Sequence, residues 1–428
     1  MWFHRVGGRG FPAAPIVVLS IGLALAIAVV IPKDVRADPV LVQSETKVIP
    51  ALTIAERYDS NVFFIQGKNL EDYVTTVTPQ LRVDHTGRLV SGSLTTSLAG
   101  EAYVKNPGLN YIAPSGALIM NFDNLIGQLD RRAKLTVSDS FMFTPKPLAF
   151  IGPGTGSEVP DTFVRGIQAQ RANSRTNMAM VTGAYLLTPS VSLQGSYTNS
   201  IMRFGTAFST PNAAQPNTAS FFNTNFQSYN IGPQFQITPV DSLSINYQGS
   251  RAHFSRAGSF SSNFETNGGT VGWKRTFTPT LSGDASAGIT RIGMGANATL
   301  TYLANASLEW KHEHGGAMLK YSRSVFPSFF VVAVPLLSNV ITASGTYLIT
   351  GQLSAAGSAN YARNESTSGQ TQLSFDSYSA TAMLNYSITR TITAIASFTH
   401  SQFSQSFAGS DLTFNRNVAT LSLRGEWN

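Results

Sequence analysis

Along most of this chain, apolar and polar residues take turns. In Val191-Ser192-Leu193-Gln194-Gly195-Ser196-Tyr197 every odd position is apolar or glycine and every even one polar, and Leu243–Gln248, Tyr302–Lys311 and Tyr378–Ser387 repeat the pattern. Such alternation sets apolar side chains on one face of a β-strand and polar ones on the other; no segment sustains the helical period instead. Composition then decides what the apolar face meets. Charged residues are 12 % of the chain, about half the roughly 25 % of soluble domains, and Ser, Thr, Asn, Gln and Gly take their place. Mean hydropathy is +0.01, and outside the N-terminus no apolar run approaches the roughly 18 to 20 residues of a spanning helix. Aromatics at 11 % exclude a disordered tract. The chain is neither an ordinary soluble enzyme nor a helical membrane protein.

The N-terminus reads as a secretory signal. Arg5 and Arg9 precede an uncharged apolar stretch from Ile16 to Ile31, and Val35-Arg36-Ala37 offers small or medium residues before a cut between Ala37 and Asp38. An uncleaved anchor would need a longer apolar run. The expected division is a signal peptide at 1–37, a short periplasmic segment at 38–47 and a barrel at 48–428. Net charge is +7; the leader holds Arg5, Arg9, Lys33 and Arg36 against Asp34, so the mature chain carries +4. This excess is scattered, which excludes a nucleic-acid partner. With 0 cysteines there is no disulfide scaffold, thiolate metal site or acylated lipoprotein.

The strands come in pairs. Tight turns are expected at Thr86-Gly87, Thr188-Pro189, Thr238-Pro239, Thr278-Pro279, Gly315-Gly316, Thr350-Gly351 and Thr389-Arg390, with a weaker one at Asp130-Arg131. Longer loops fall at the opposite ends, the largest near 144–172 and 205–221, others near 59–71, 105–114, 257–262, 327–337, 365–371 and 407–412. Short turns on one side and long loops on the other is the pattern of a transmembrane, antiparallel up-and-down β-barrel, all-β, in the outer membrane of a Gram-negative bacterium. Eight tight turns imply about 18 strands, with 16 as the fallback. Ser115–Asp130 alternates poorly, and Pro50, Pro79 and Pro233 mark bulges or strand ends, because proline cannot donate to a ladder. Trp273, Phe277, Trp310 and Tyr386 precede tight turns and Trp427 is penultimate, as an interfacial aromatic girdle requires.

No catalytic motif is present: no G-x-S-x-G, H-E-x-x-H or phosphate loop. His400 lies among serines without a triad's spacing. His312-Glu313-His314 puts two imidazoles together at a turn without a third ligand, and Asp59-Ser60-Asn61 is better explained as an Asx-type turn than as a calcium site. We therefore expect no enzyme, metal or cofactor. If apolar residues face lipid, the lumen receives Arg82, Asp84, Lys274, Asp284, Glu309, Lys311 and Lys320 with many hydroxyls and amides, which suits either a hydrated channel or a filled lumen.

The stretch Glu56-Arg57-Tyr58-Asp59-Ser60-Asn61-Val62-Phe63, followed by Asp72-Tyr73-Val74-Thr75-Thr76-Val77-Thr78-Pro79-Gln80-Leu81, resembles the mature start of outer-membrane β-barrel porins of the "porin 2" type, including barrels associated with exosortase/PEP-CTERM and exopolysaccharide loci. The resemblance covers about 30 residues closely and the rest by hairpin pattern. It implies a barrel without catalytic residues, linked to export or surface assembly of polysaccharide. Two functions stay open: a channel or conduit for exopolysaccharide or small solutes, and a closed structural barrel whose loops bind surface polysaccharide or an export partner. Implied partners are outer-membrane lipid, the barrel-assembly machinery during biogenesis, and polysaccharide or export-complex proteins.

Overall fold

The structure, a computed structural model, describes residues 44–63, 71–144, 172–207, 221–256, 261–295, 297–328, 333–367, 373–407 and 410–427. The expected leader, its cleavage site and most of the two longest loops lie outside these residues. Eighteen strands run in chain order. The first six are β1 (Glu45–Asp59), β2 (Asp72–Thr86), β3 (Ser91–Tyr103), β4 (Tyr111–Asn121), β5 (Ala133–Thr144) and β6 (Ala172–Thr188). Then come β7 (Val191–Ala207), β8 (Asn223–Gln236), β9 (Asp241–Ser255), β10 (Ser261–Thr278), β11 (Leu281–Met294) and β12 (Asn297–His312). The last six are β13 (Gly315–Pro327), β14 (Pro335–Leu348), β15 (Leu353–Ser366), β16 (Leu373–Ser387), β17 (Ile392–Phe407) and β18 (Ser410–Glu426). Each pairs antiparallel with the next, and β1 pairs with β18, so the sheet closes without an edge. Closure leaves no open sheet edge to meet the lipid, which is what a lipid solvent demands of a β-protein.

Both described ends of the chain lie at the tight-turn end: Glu45 sits opposite Thr86, and the Trp427 amide donates to the Pro50 carbonyl at 3.0 Å. Six of the expected tight turns are where the pattern put them. The seventh is displaced: β12 and β13 join through Glu313-His314, and Gly315 and Gly316 already belong to β13. The glycines serve packing, since a Cβ on Gly315 would stand 2.1 Å from the Thr346 carbonyl oxygen of β14. The eighth is not a tight turn. β4 stops at Asn121, and a short helix α1 (Asp123–Gly127) precedes β5; the Asp123 carboxylate accepts the Leu135 amide at 2.9 Å. That helix is why Ser115–Asp130 alternates poorly.

The three prolines mark neither bulges nor strand ends. β2–β3 pairing skips the positions beside Pro79, and β8–β9 pairing skips those beside Pro233, but the register is the same on both sides of each gap. Pro50 stays paired with Leu81 of β2, while pairing with β18 begins one residue later at Ala51. Each ring removes a ladder bond toward one neighbour and leaves the other intact.

Strand faces follow from register and exposure. On β12, Tyr302, Leu308 and Trp310 are exposed at 55, 44 and 45 %, whereas Leu303 between them is 6 % exposed. The first set faces out to lipid and the second into the barrel. From Trp310 to Tyr302 is about 26 Å of strand at roughly 3.3 Å per residue, enough for an apolar belt once tilted. Trp273, Phe277, Trp310, Tyr386 and Trp427 stand exposed at its tight-turn end, and Tyr73, Tyr197, Tyr229, Tyr247, Tyr302 and Tyr378 toward its long-loop end. The chain is thus a β-barrel of the Gram-negative outer membrane, with the short turns on the periplasmic side.

This orientation predicts a labelling result. Gly108, in the β3–β4 loop, and Gly351, in the β14–β15 turn, each have open space where a Cβ would sit. On intact cells a membrane-impermeant maleimide should label Gly108→Cys and spare Gly351→Cys until the outer membrane is permeabilised. The reverse pattern would invert the barrel.

Candidate functional site

All seven charged residues expected in the lumen project from the inward face. Lys274 lies opposite Asp284, Asp284 opposite Ser307, and Ser307 opposite Lys320, so four adjacent strands place them in one row. The row continues through Thr342, Asn360, Ser379 and Ser401 to Arg416. The Ser307 hydroxyl donates to Asp284. Arg82 pairs with Asp84 at 2.9 Å and Lys311 with Glu309 at 3.0 Å, each two residues apart on one strand. The structure therefore gathers Lys274, Asp284 and Lys320 in one row and leaves Arg82–Asp84 and Glu309–Lys311 as separate pairs near the periplasmic mouth. The wall between them is hydroxyl and amide: Gln194 donates to Gln234, Gln234 donates to Ser242 at 3.3 Å, and Thr381 bonds Thr399 at 3.0 Å.

Toward the long loops the inward face changes character. In β16 the apolar parity switches: Leu373 and Phe375 point inward, while from Tyr378 onward the apolar residues Ala380, Ala382, Leu384 and Tyr386 point outward. β9 does the same, with Leu243, Ile245 and Tyr247 outward but Ala252 and Phe254 inward. The inward residues form two buried clusters, one around Met202, Phe226, Phe254 and Phe264, the other around Leu336, Phe375, Phe403 and Phe414, and Met294 touches both. Ring centroids are 5.9 Å apart for Phe254–Phe264 and 5.0 Å for Phe403–Phe414, the spacing of favourable aromatic pairs. Loop residues join in: Phe222 and Ala333 pack on the first cluster and Val334 on the second. In the remaining sector Val62, Phe63 and Leu109 from two loops pack on Val74 and Tyr103. An apolar collar thus lines the outer lumen above a polar wall.

The Glu56–Phe63 segment builds the seam beneath this collar. Arg57 and Asp59 both point inward. The Arg57 guanidinium donates to both oxygens of Glu101 at 3.3 and 3.0 Å, and the Tyr103 hydroxyl donates to the same carboxylate at 2.9 Å. Asp59, with a fully buried side chain, accepts two hydrogen bonds from Arg416 at 2.9 and 2.6 Å. The Asn417 amide donates to the Ser60 hydroxyl at 2.8 Å, the Ser60 amide to the Asn417 carbonyl at 3.0 Å, and the Asn61 side-chain amide to the Asn415 carbonyl at 3.4 Å. These bonds join the first strand to the last across the closing seam. Asp72, also buried, accepts from the amides of Tyr73, Lys105 and Asn106 at 2.8, 2.8 and 2.9 Å, which ties down the β3–β4 loop. On the outer side the Tyr58 hydroxyl donates to Glu71 at 2.8 Å, and hydrogen bonds from Lys105 and Tyr58 hold the Glu71 carboxyl below its usual range. The Asp59-Ser60-Asn61 turn is a latch.

Sequence reasoning passed over Arg57, Glu101 and Arg416. The signal for Arg57 was available, since Arg57 and Asp59 share the inward parity just as Arg82 and Asp84 do. Arg416 carries no such signal, because it lies 357 residues from its partner. His312 stacks on Trp310 and His314 on His312 in an exposed column, with centroid spacings of 5.6 and 5.9 Å, and no cluster of three metal-ligating residues occurs among the described residues.

No protein-family profile matches this sequence, and no curated protein is detectably similar to it in sequence. Solved structures of similar architecture include the outer-membrane proteins OccK1 (OpdK) of Pseudomonas aeruginosa, at 10 % identity and a TM-score of 0.44 over 89 % of this chain and 99 % of that one, and OccK5 (OpdH) of the same organism, at 10 %, 0.46, 89 % and 98 %. A loop-deletion mutant of OmpT from Vibrio cholerae is similar at 10 % identity and a TM-score of 0.36, over 90 % of this chain and 99 % of that one.

Proposed function

We propose that the protein is an outer-membrane diffusion channel for small solutes, with a polar lumen that narrows to an apolar collar at its outer mouth. The carrying observation is the inward row of Lys274, Asp284, Ser307, Lys320, Thr342, Asn360, Ser379 and Ser401, which holds both charge signs and otherwise only hydroxyls and an amide. A wall of this kind is wetted by water, and an 18-stranded barrel is wide enough to hold an aqueous path. On this reading Arg82, Asp84, Glu309 and Lys311 line the periplasmic entrance.

The buried collar favours a second reading, a barrel with a closed lumen whose loops bind surface polymer or a partner. Planar-bilayer recording separates the two. A channel gives stepwise conductance when refolded wild-type protein is added, and Phe254→Ala with Phe375→Ala raises it by widening the collar. Silence from both proteins would overturn the channel and leave the closed barrel. Passage of exopolysaccharide is the finer proposal and rests on the resemblance at Glu56–Leu81; it predicts that a deletion strain loses surface polysaccharide while small-solute uptake persists.

A further inference from the structure

Beyond the tyrosines at the outer edge of the apolar belt, the outward face carries arginines: Arg175 on β6, Arg203 on β7, Arg251 on β9, Arg291 on β11, Arg323 on β13 and Arg363 on β15. Each stands toward the long-loop side of outward apolar residues of its strand: Arg203 past Ile201, Arg251 past Tyr247, Arg291 past Ile289, Arg323 past Tyr321 and Arg363 past Tyr361, with Arg175 preceding Ala179 and Val181. Two have acidic neighbours. Arg363 pairs with Glu365 at 2.7 Å, and Arg251 lies opposite Glu265. Arg175, Arg203, Arg291 and Arg323 are ion-paired to no carboxylate among the described residues. At the tight-turn rim the outward basic residues differ, since Arg132 pairs with Asp130 at 2.8 Å and Arg275 with Asp241 at 3.5 Å.

Two of the four are also held in place by short-range contacts. The Arg323 guanidinium lies 3.9 Å from the centroid of the Tyr302 ring and donates to Asn339 at 2.9 Å. Arg203 donates to the carbonyls of Met202 and Thr224, both at 2.9 Å. Arg175 and Arg203 are directly opposite one another in the ladder, a like-charge pairing that costs stability unless an anion sits between them. Guanidinium is the side chain best suited to phosphate.

We propose that this belt binds the phosphorylated headgroups of an anionic glycolipid in the outer leaflet. The apolar belt below takes the acyl chains, and Arg175, Arg203, Arg291 and Arg323 take the phosphates at the level where the acyl region ends. Among the described residues, the outward strand arginines that lack a carboxylate partner all stand at the outer rim, which matches an outer leaflet richer in phosphate.

The test uses refolded protein in a neutral detergent, titrated with lipid A, with the same glycolipid stripped of its phosphates, and with inorganic phosphate, while thermal unfolding is followed. Lipid A should raise the wild-type midpoint, and neither of the other probes should. In the Arg175→Gln, Arg203→Gln, Arg291→Gln, Arg323→Gln variant the apparent affinity for lipid A should fall about fivefold per arginine removed. The matching Arg→Lys variant should keep most of it and serves as the folding control. Added salt should weaken the wild-type response, because exposed charges are screened beyond a Debye length of about 10 Å at 0.1 M. If the quadruple Gln variant does not fold, Arg291→Gln with Arg323→Gln reads the same effect at about 25-fold. Equal lipid A affinity in wild type and a folded Gln variant, or an equal response to the phosphate-free glycolipid, would overturn the proposal.

Discussion

Replacing Asp59 by alanine should cost the barrel about 3 to 5 kcal/mol, because it leaves the Arg416 guanidinium as an unpaired charge in a buried site. The Arg416 side chain is 14 % exposed and the Asp59 side chain 0 %, so water cannot take over the lost partner. The loss falls on the seam between β1 and β18, the pairing that turns a sheet into a barrel. Urea titration of the refolded protein in vesicles measures it, with heat-modifiable gel mobility as a second readout. Asp59→Ala combined with Arg416→Leu removes both charges and should recover much of the loss, since a buried pair replaced by apolar groups is often close to neutral. A single-variant loss below about 1 kcal/mol, the scale of a surface pair, would show that the backbone ladder alone holds the seam.

The second large effect separates the two faces of one strand. Ala306 lies on the lipid side of β12, midway between Tyr302 and Trp310, and Ser307 lies on the lumen side, opposite Asp284 and Lys320. Ala306→Arg should destabilise the barrel by about 2 to 4 kcal/mol, the cost of a basic side chain at the bilayer midplane. Ser307→Arg should fold nearly as wild type, because its guanidinium emerges in a polar lumen beside the Asp284 carboxylate. Urea unfolding in vesicles compares the two, and equal losses would refute the register. In an open channel Ser307→Arg should also shift ion selectivity toward anions, read as a change of reversal potential across a salt gradient.

Much of this fold is written in local periodicity. A strand with one face in lipid and one in a polar lumen needs a two-residue alternation, and six of the tight turns announce themselves through Thr-Pro, Thr-Gly or an equivalent pair. Where a residue type has more than one physical use, reading it locally fails. Gly315-Gly316 looks like a turn but starts a strand, because β14 passes too close for a Cβ. Pro79 and Pro233 look like breaks, yet each gives up bonding toward one neighbour and keeps the register. The parity switch in β16, from inward Leu373 and Phe375 to outward Tyr378, was visible as a slip in the alternation. Its meaning was not, because only the closed barrel shows that the switched residues meet one another in the outer lumen.

The sequence by itself determined the alternation of strand faces and the hairpin order, since side-chain direction in a strand depends only on position along it. The tertiary structure decided the pairs that make the site specific. Asp59 meets Arg416 across 357 residues because the barrel closes, and Arg57 meets Glu101 because β1 and β3 each pack beside β2. The collar likewise exists because β8 to β10 and β16 to β18 bring their inward phenylalanines together in clusters. Long-range contacts of this kind carry no period, so nothing local encodes them.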